Sequence, residues 1–416
     1  MKENISRDEI KYTKRRLTAK LRRGMEQFPV TVLTGARQVG KSTLLQHEFP
    51  EFSYLTFDDH SLREQARLDP QSLWVETDRL IIDEAQKVPE IFDAIKLAVD
   101  QAGAARKFIL SGSANLLLMR GVTESLAGRA FYLELLPLTW GEEHGQLAPE
   151  NFASLWQDDL RLADKTLAAV APLPFLLRGF MPKLTAFSRH DEVLNWLESY
   201  VRTYLERDLR ELSQVDSLVD FRKVMQSLAL RTGNILNQAD VAKDSGISHT
   251  TTHRYLKLLE VSNIIERVPA FSVNRGKRLV KSPKLFFVDP ALAVFLAGYY
   301  DAAALAGSRE LGQYFETMVY FHLRALCEGM TPKAGLYYWR TVAGREVDFV
   351  VEHGRRLLAF GVKHTANPTA FDIKNLLAFM EDYPETVRGV VVHAGNQLKW
   401  LHSKVVAVPW WWLDAA

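Results

Sequence analysis

The chain has 416 residues, 47% of them hydrophobic and 25% charged, with 52 Lys and Arg against 50 Asp and Glu. That length exceeds one ordinary core and predicts about three domains. The near-neutral balance excludes a global field drawing the chain to nucleic acid or a membrane surface, while local patches stay open. The single Cys, Cys327, excludes an internal disulfide framework and a Cys-based zinc site and fits a reducing compartment.

Residues 1–23 carry charges throughout and lack the apolar core of a signal peptide. No run reaches the roughly eighteen uninterrupted apolar residues of a spanning helix, and the nearest, residues 285–300, contains Asp289 and Pro290. The expectation is a cytoplasmic chain without membrane contact. Residues 7–27 have helical spacing, and residues 12–23 form a basic amphipathic face that either meets nucleic acid or a bound nucleotide or is simply solvated.

Val30–Thr34 is a β-branched, apolar run that predicts a buried parallel strand, and residues 35–42 then read GARQVGKS, the pattern G-x-x-x-x-G-K-S, ahead of a helix-compatible segment. Glycines in such a loop let backbone N–H groups turn toward phosphates, and the helix N-terminus adds its positive dipole end. The residues expected around a nucleotide are Gly35, Ala36, Arg37, Gln38, Val39, Gly40, Lys41, Ser42 and Thr43. Lys41 would reach the β- and γ-phosphates and Ser42 would coordinate Mg²⁺.

Residues 52–58 (FSYLTFD) predict a second strand. Residues 79–84 (RLIIDE) predict a third, ending in two carboxylates, with Asp83 in the Mg²⁺ shell and Glu84 orienting or deprotonating the attacking water. A further strand, Lys107–Ser111, leads into a polar stretch in which Ser113 or Asn115 either senses the γ-phosphate or caps a turn. No H-E-x-x-H pairing occurs among the 11 His.

The stretches GARQVGKSTLL, RLIIDEAQKVPEIF, ILSGSANLLL, ESLAGRAFYLELLPLTWGE and TYLERDL resemble the prokaryotic AAA-type ATPases that carry a C-terminal domain of unknown function 4143, over nearly the whole chain. The resemblance implies ATP as the nucleotide, with Lys41 and Ser42 on phosphate and Mg²⁺, Asp83 and Glu84 as the catalytic acids, and a polar sensor after the fourth strand. It also implies that Arg129 contacts the γ-phosphate, either in the same chain or from a neighbour.

Four stretches are expected: an ATPase domain over 1–145, a Pro-interrupted connector or lid over 146–190, a helical and winged helix-turn-helix domain over 191–285, and a restriction-endonuclease-like domain over 286–416. In the third, residues 239–243 and 250–260 predict two helices around a Gly-containing turn, with a wing strand over 263–268. A DNA-binding version would present His249, Thr250, Thr251, His253 and Arg254 to the major groove of duplex DNA, with Lys257, Arg275, Lys277 and Arg278 on phosphate. The same fold also serves to pack domains or partners.

In the last stretch, Glu316, Asp348 and Lys363 match three of the four polar positions of a restriction-endonuclease-like core, and Gly361 stands where the pattern wants an acid. With that carboxylate missing, a divalent metal is held poorly, so the expectation is a degenerate, inactive nuclease-like domain. The fold class expected is α/β: a P-loop NTPase parallel sheet with helices on both faces, then the winged helix and a mixed α/β domain. The function expected is a cytoplasmic ATPase using ATP and Mg²⁺, whose nucleotide state changes how the appended domains meet duplex DNA, another protein or a second copy. The alternatives are a nucleotide-gated DNA-binding regulatory module and a metal-dependent nuclease.

Overall fold

Strands β1 (Val30–Thr34), β2 (Ser53–Thr56), β3 (Arg79–Asp83), β4 (Lys107–Ser111) and β5 (Ala130–Glu134) form a sheet of order β2-β3-β4-β1-β5 in which every pairing is parallel. The computed structural model describes residues 12–102, 105–112, 125–203, 217–274, 276, 278 and 281–416. All five side chains of β1 are buried, as its unbroken apolar run requires of a strand covered on both faces. Val30, Val32, Leu80, Ile82, Phe108 and Leu110 pack against Trp74 and helix α4 (Ile91–Ala102). Leu33, Ile81, Ile109 and Leu133 face the other way, onto α1 (Leu17–Gln27) and α2 (Lys41–Glu48), and α3 (His60–Leu68) follows β2. The sheet therefore has helices on both faces, as expected.

The predicted helix over residues 7–27 is shorter: residues 12–16 are not helical and α1 begins at Leu17. Tertiary bonds explain the difference. The Arg15 guanidinium donates to Glu142 (3.2 Å) and to the carbonyls of Val39, Leu136 and Pro137 (2.9, 2.5 and 3.0 Å), and the Tyr12 hydroxyl donates to Glu48 (2.9 Å). These contacts hold the segment across the mouth of the sheet, where local helical propensity is overridden.

A second, seven-stranded mixed sheet has the order β6-β13-β14-β12-β11-β10-β9. Its strands are β6 (Lys165–Thr166), β9 (Gly335–Arg340), β10 (Glu346–His353), β11 (Arg356–Lys363), β12 (Thr386–His393), β13 (Gln397–His402) and β14 (Val405–Pro409). The stretch read as a connector or lid thus supplies β6, an edge strand paired antiparallel with β13. Trp410 and Trp412 are buried in the core beyond β14.

Between the sheets lie α5 (Leu173–Arg178), α6 (His190–Tyr200), α7 (Leu218–Ala229), α8 (Gln238–Ser245) and α9 (His249–Val261). An antiparallel ribbon of β7 (Ile265–Val268) and β8 (Lys284–Phe287) follows. Gly246 ends α8 with φ +67°, a left-handed conformation that suits glycine, and Ser248 caps α9. Helices and ribbon come in the chain order expected of a winged helix-turn-helix. The Asp289 carboxylate caps α10 (Pro290–Leu296), which breaks up the most apolar run in the sequence. Among the described residues no helix is long and apolar enough to cross a membrane.

Helix α11 (Leu311–Gly329) joins these parts. Its Arg324, with 6% of the side chain exposed, is ion-paired to Glu134 at the end of β5 (2.6 Å), Glu266 of β7 (2.8 Å) and Glu328 one turn on (2.7 Å). Lys20 of α1 donates to the carbonyls of Glu328 and Met330, both at 2.7 Å. Arg324→Met would remove the buried cation that Glu134, Glu266 and Glu328 share and leave Glu134 without it, so unfolding in urea should show a loss of about 3 kcal/mol. Unchanged stability would contradict the junction.

Candidate nucleotide-binding site

The loop after β1 has the shape its glycines suggest. Gly35 has φ +144°, and a Cβ there would stand 2.2 Å from the Leu135 carbonyl oxygen, so no side chain fits. Gly40 has φ +93° immediately before α2, whose first residue is Lys41. The Lys41 ammonium is folded back onto the carbonyls of Gly35 and Ala36, both at 2.9 Å. Burial pulls its pKa down to about 8 against the opposing pull of Glu84 and Asp83.

Asp83 gathers the site. Ser42 Oγ and the Tyr54 hydroxyl each donate to its Oδ2 at 2.6 Å, while Ser111 Oγ and the Glu84 amide donate to Oδ1. Burial raises the Asp83 pKa, but these donors outweigh it and hold the carboxyl below its ordinary value. Glu84 follows with φ +53°, an uncommon conformation for a non-glycine residue that turns its side chain out of the strand direction, and Gln86 donates to its carboxylate.

Tyr54 and Ser111 were not anticipated. They come from β2 and β4, the strands on either side of β3, whose parallel register sets Thr56 opposite Asp83 and Leu110 opposite Ile82. The polar ending of the otherwise apolar KFILS was the available signal.

A cleft of about 580 Å³ opens over this loop. One wall is Arg37, Gln38, Gly40, Lys41, Ser42, Thr43 and Glu84, whereas Ala36 and Val39 are buried beneath it. The other wall comes from outside the sheet: Tyr12, Thr13 and Arg15 from the N-terminal segment, then Leu138, Pro182, Lys183 and Thr185.

Arg129 departs from its expected role. It lies just before β5, level with Val30, while the loop leaves the sheet after Thr34. The length of a five-residue strand, about 16 Å, separates it from the loop, and its guanidinium is paired with Asp100 at 2.7 and 3.1 Å. A γ-phosphate contact within the same chain is therefore excluded. Ser113 and Asn115 lie outside the described residues.

In α9, His249, Thr250 and His253 are exposed, Thr251 is engaged with the Ser248 cap, and Arg254 is half-buried over the Tyr255 ring. Arg278 does not reach out to phosphate: it pairs with Glu352 (2.6 Å) and stacks on Phe271 and Tyr337. Arg275 and Lys277 are outside the described residues.

The structure brings Glu316 and Asp348 of the nuclease-like set together around a residue not foreseen, Lys284, and adds Glu346. Lys363 ends β11, half-buried, and its charge acts on Asp348. A Cβ at Gly361 would point toward Leu376 of helix α12 (Lys374–Asp382).

The parallel sheet and its loop define a P-loop nucleotide-binding protein of the ATPase class. Three family profiles match: "AAA domain" over residues 27–144, "Domain of unknown function (DUF8612)" over 174–302 and "Domain of unknown function (DUF4143)" over 311–413. Two mycobacterial proteins, the uncharacterized Rv2008c of Mycobacterium tuberculosis and Mb2031c of Mycobacterium bovis, are each 32% identical over 95% of this chain and 83% of their own length. A Walker-type ATPase of Pyrococcus abyssi, PABY2304, aligns structurally at 18% identity with a TM-score of 0.44, over 67% of this chain and 94% of that one. The chain belongs to the family of AAA-type P-loop ATPases that carry the DUF4143 domain at their C-terminal end.

Holding Lys41 charged while buried costs the nucleotide-free fold about 3 kcal/mol for a shift of this size. The cost is present below pH 8 and is relieved between pH 8 and 10.5, where the unfolded chain keeps a proton the folded chain has released, so stability rises with pH there. Lys41→Met should therefore unfold in urea no more easily than wild type at pH 7, lose that rise, and gain nothing from added nucleotide. Stabilisation by nucleotide equal to wild type would refute the assignment.

Proposed function

We propose that the chain is a cytoplasmic, Mg²⁺-dependent ATPase whose nucleotide state changes how its appended domains meet a partner. The observation that supports it most is the 2.6 Å hydrogen bond between Ser42 and Asp83. Two oxygen ligands from motifs far apart in the sequence converge at the N-terminus of α2, and Asp83 is kept ionised. This donor set fits a hard, oxygen-loving divalent cation, which Ser42 and Asp83 would hold. Bound there, Mg²⁺ would neutralise charge on the phosphate oxygens.

The chain's own groups do the rest. The loop amides and the N-terminal end of α2 bind phosphate, and Lys41 exchanges its two carbonyl acceptors for phosphate oxygens. Glu84 orients the attacking water and takes its proton. Tyr12, Thr13, Arg15 and Pro182 close the far side of the cleft, so occupancy is felt by segments outside the sheet. Arg129, exposed beside Asp100, is available only to a neighbouring copy or another protein.

A second reading rests on the exposed His249, Thr250, His253 and Lys257 along α9: a nucleotide-gated DNA-binding module in which hydrolysis is a timer. Salt-dependent duplex binding that differs between ATP and ADP favours it, and indifference to duplex DNA counts against it.

Glu84→Gln should keep ATP bound, seen as retained thermal stabilisation by the nucleotide, while steady-state turnover falls by about 100-fold or more. Turnover at the wild-type rate would remove Glu84 from the proton-transfer role.

A further inference from the structure

A restriction-endonuclease-like core implies a divalent cation among its acids, and the residues present do not fit one. Lys284, the first residue of β8, sends its ammonium into the middle of the acid cluster. It lies 2.8 Å from Glu316 of α11, 2.5 Å from Glu346 at the start of β10 and 4.0 Å from Asp348 two residues on. Only 3% of the lysine side chain is exposed. The remaining oxygen of Asp348 accepts from the Val362 amide at 2.7 Å, and Arg340 adds a second cation 3.7 Å from Glu346. An ion entering this cluster would have to displace a buried ammonium and face the guanidinium beside it.

We propose that Lys284 stands in for the divalent cation of the nuclease-like acid cluster, making it an ion-pair clamp that fastens the β7–β8 ribbon to α11 and β10. The backbone around it is fixed to match. Lys284 pairs with Val268 across the ribbon and bridges to Ile235. Further along, the Phe271 amide donates to Tyr338 of β9 (2.6 Å), the Tyr338 amide donates to Pro269 (3.1 Å), and Arg278 closes on Glu352. The ribbon, a two-stranded sheet of its own, is thereby joined to β9 of the second sheet by the bridge between Ala270 and Tyr338.

Gly361 is the matching half of the change. A Cβ there would meet Leu376 of α12 at 3.6 Å, so the position where the nuclease pattern wants an acid offers no carboxylate to a metal. An acid at 361 would serve a metal, while a lysine at 284 makes that metal superfluous.

Thermal unfolding of the nucleotide-free full chain, with and without Mn²⁺, tests the clamp. Wild type should melt at the same temperature with millimolar Mn²⁺ as without it. Lys284→Met should melt lower by about 5 °C or more, and Mn²⁺ should restore part of that loss in Lys284→Met but not in Lys284→Met with Glu316→Gln. A Lys284→Met protein as stable as wild type would overturn the clamp. Loss of stability that Mn²⁺ leaves untouched would overturn the stand-in role. If Lys284→Met fails to fold, Mn²⁺ titration of wild type followed by electron paramagnetic resonance decides: uptake abolished by Asp348→Asn overturns the proposal, and absence of such uptake supports it. Divalent-dependent cleavage of DNA by wild type, lost on Asp348→Ala, would likewise overturn it.

Discussion

The carboxylate of Asp83 is the constraint on which the nucleotide cleft depends. A charged group this buried is costly unless its lone pairs are filled. Here they are filled from three neighbouring sources: Ser42 at the start of α2, Tyr54 of β2 and Ser111 of β4. Satisfying one charge thus fixes the loop, its helix and the two flanking strand ends against each other. The same donors favour the ionised group, which is the state its proposed metal-holding role needs. Structural demand and chemical demand are met by one set of hydrogen bonds.

Around that centre, ionic and capping contacts connect the cleft wall to the rest of the chain. Leu138, on the cleft wall, donates its amide to the Phe180 carbonyl, and Phe180 donates to the buried Asp289 carboxylate that caps α10. Pro182, also on that wall, is two residues from this contact. Arg324 ties the end of β5 to the ribbon and to α11. Both routes consist of buried, directional bonds with few alternative arrangements.

The second sheet holds a buried cluster of opposite charges at one end of β10. Three acids remain close together, but the cation among them is supplied by the chain itself. An internal ammonium is delivered by folding and is not lost by dilution or chelation, which makes it a dependable clamp.

The nucleotide loop, β1, β3, the two helices of α8 and α9 and the strands β10 and β11 were legible because each rests on local signals. Those signals are glycines where φ is positive, unbroken β-branched runs, a cap before an apolar stripe, and apolar strand-length runs on either side of a turn. The place of Asp83 and Glu84 beside the loop was legible because strand ends in a parallel sheet converge. The non-helical course of residues 12–16, the pairing of β6 with β13, the position of Arg129 at the wrong end of the sheet, and Lys284 among the acids were not. Each depends on partners more than 25 residues away in sequence, and on the register and sheet order that bring them together. Local pattern and motif by themselves determined most of the elements and the loop that faces the nucleotide cleft. Only the tertiary structure decided which charges meet, because a buried ion's partner is chosen by whatever opposite charge the folded chain sets within reach.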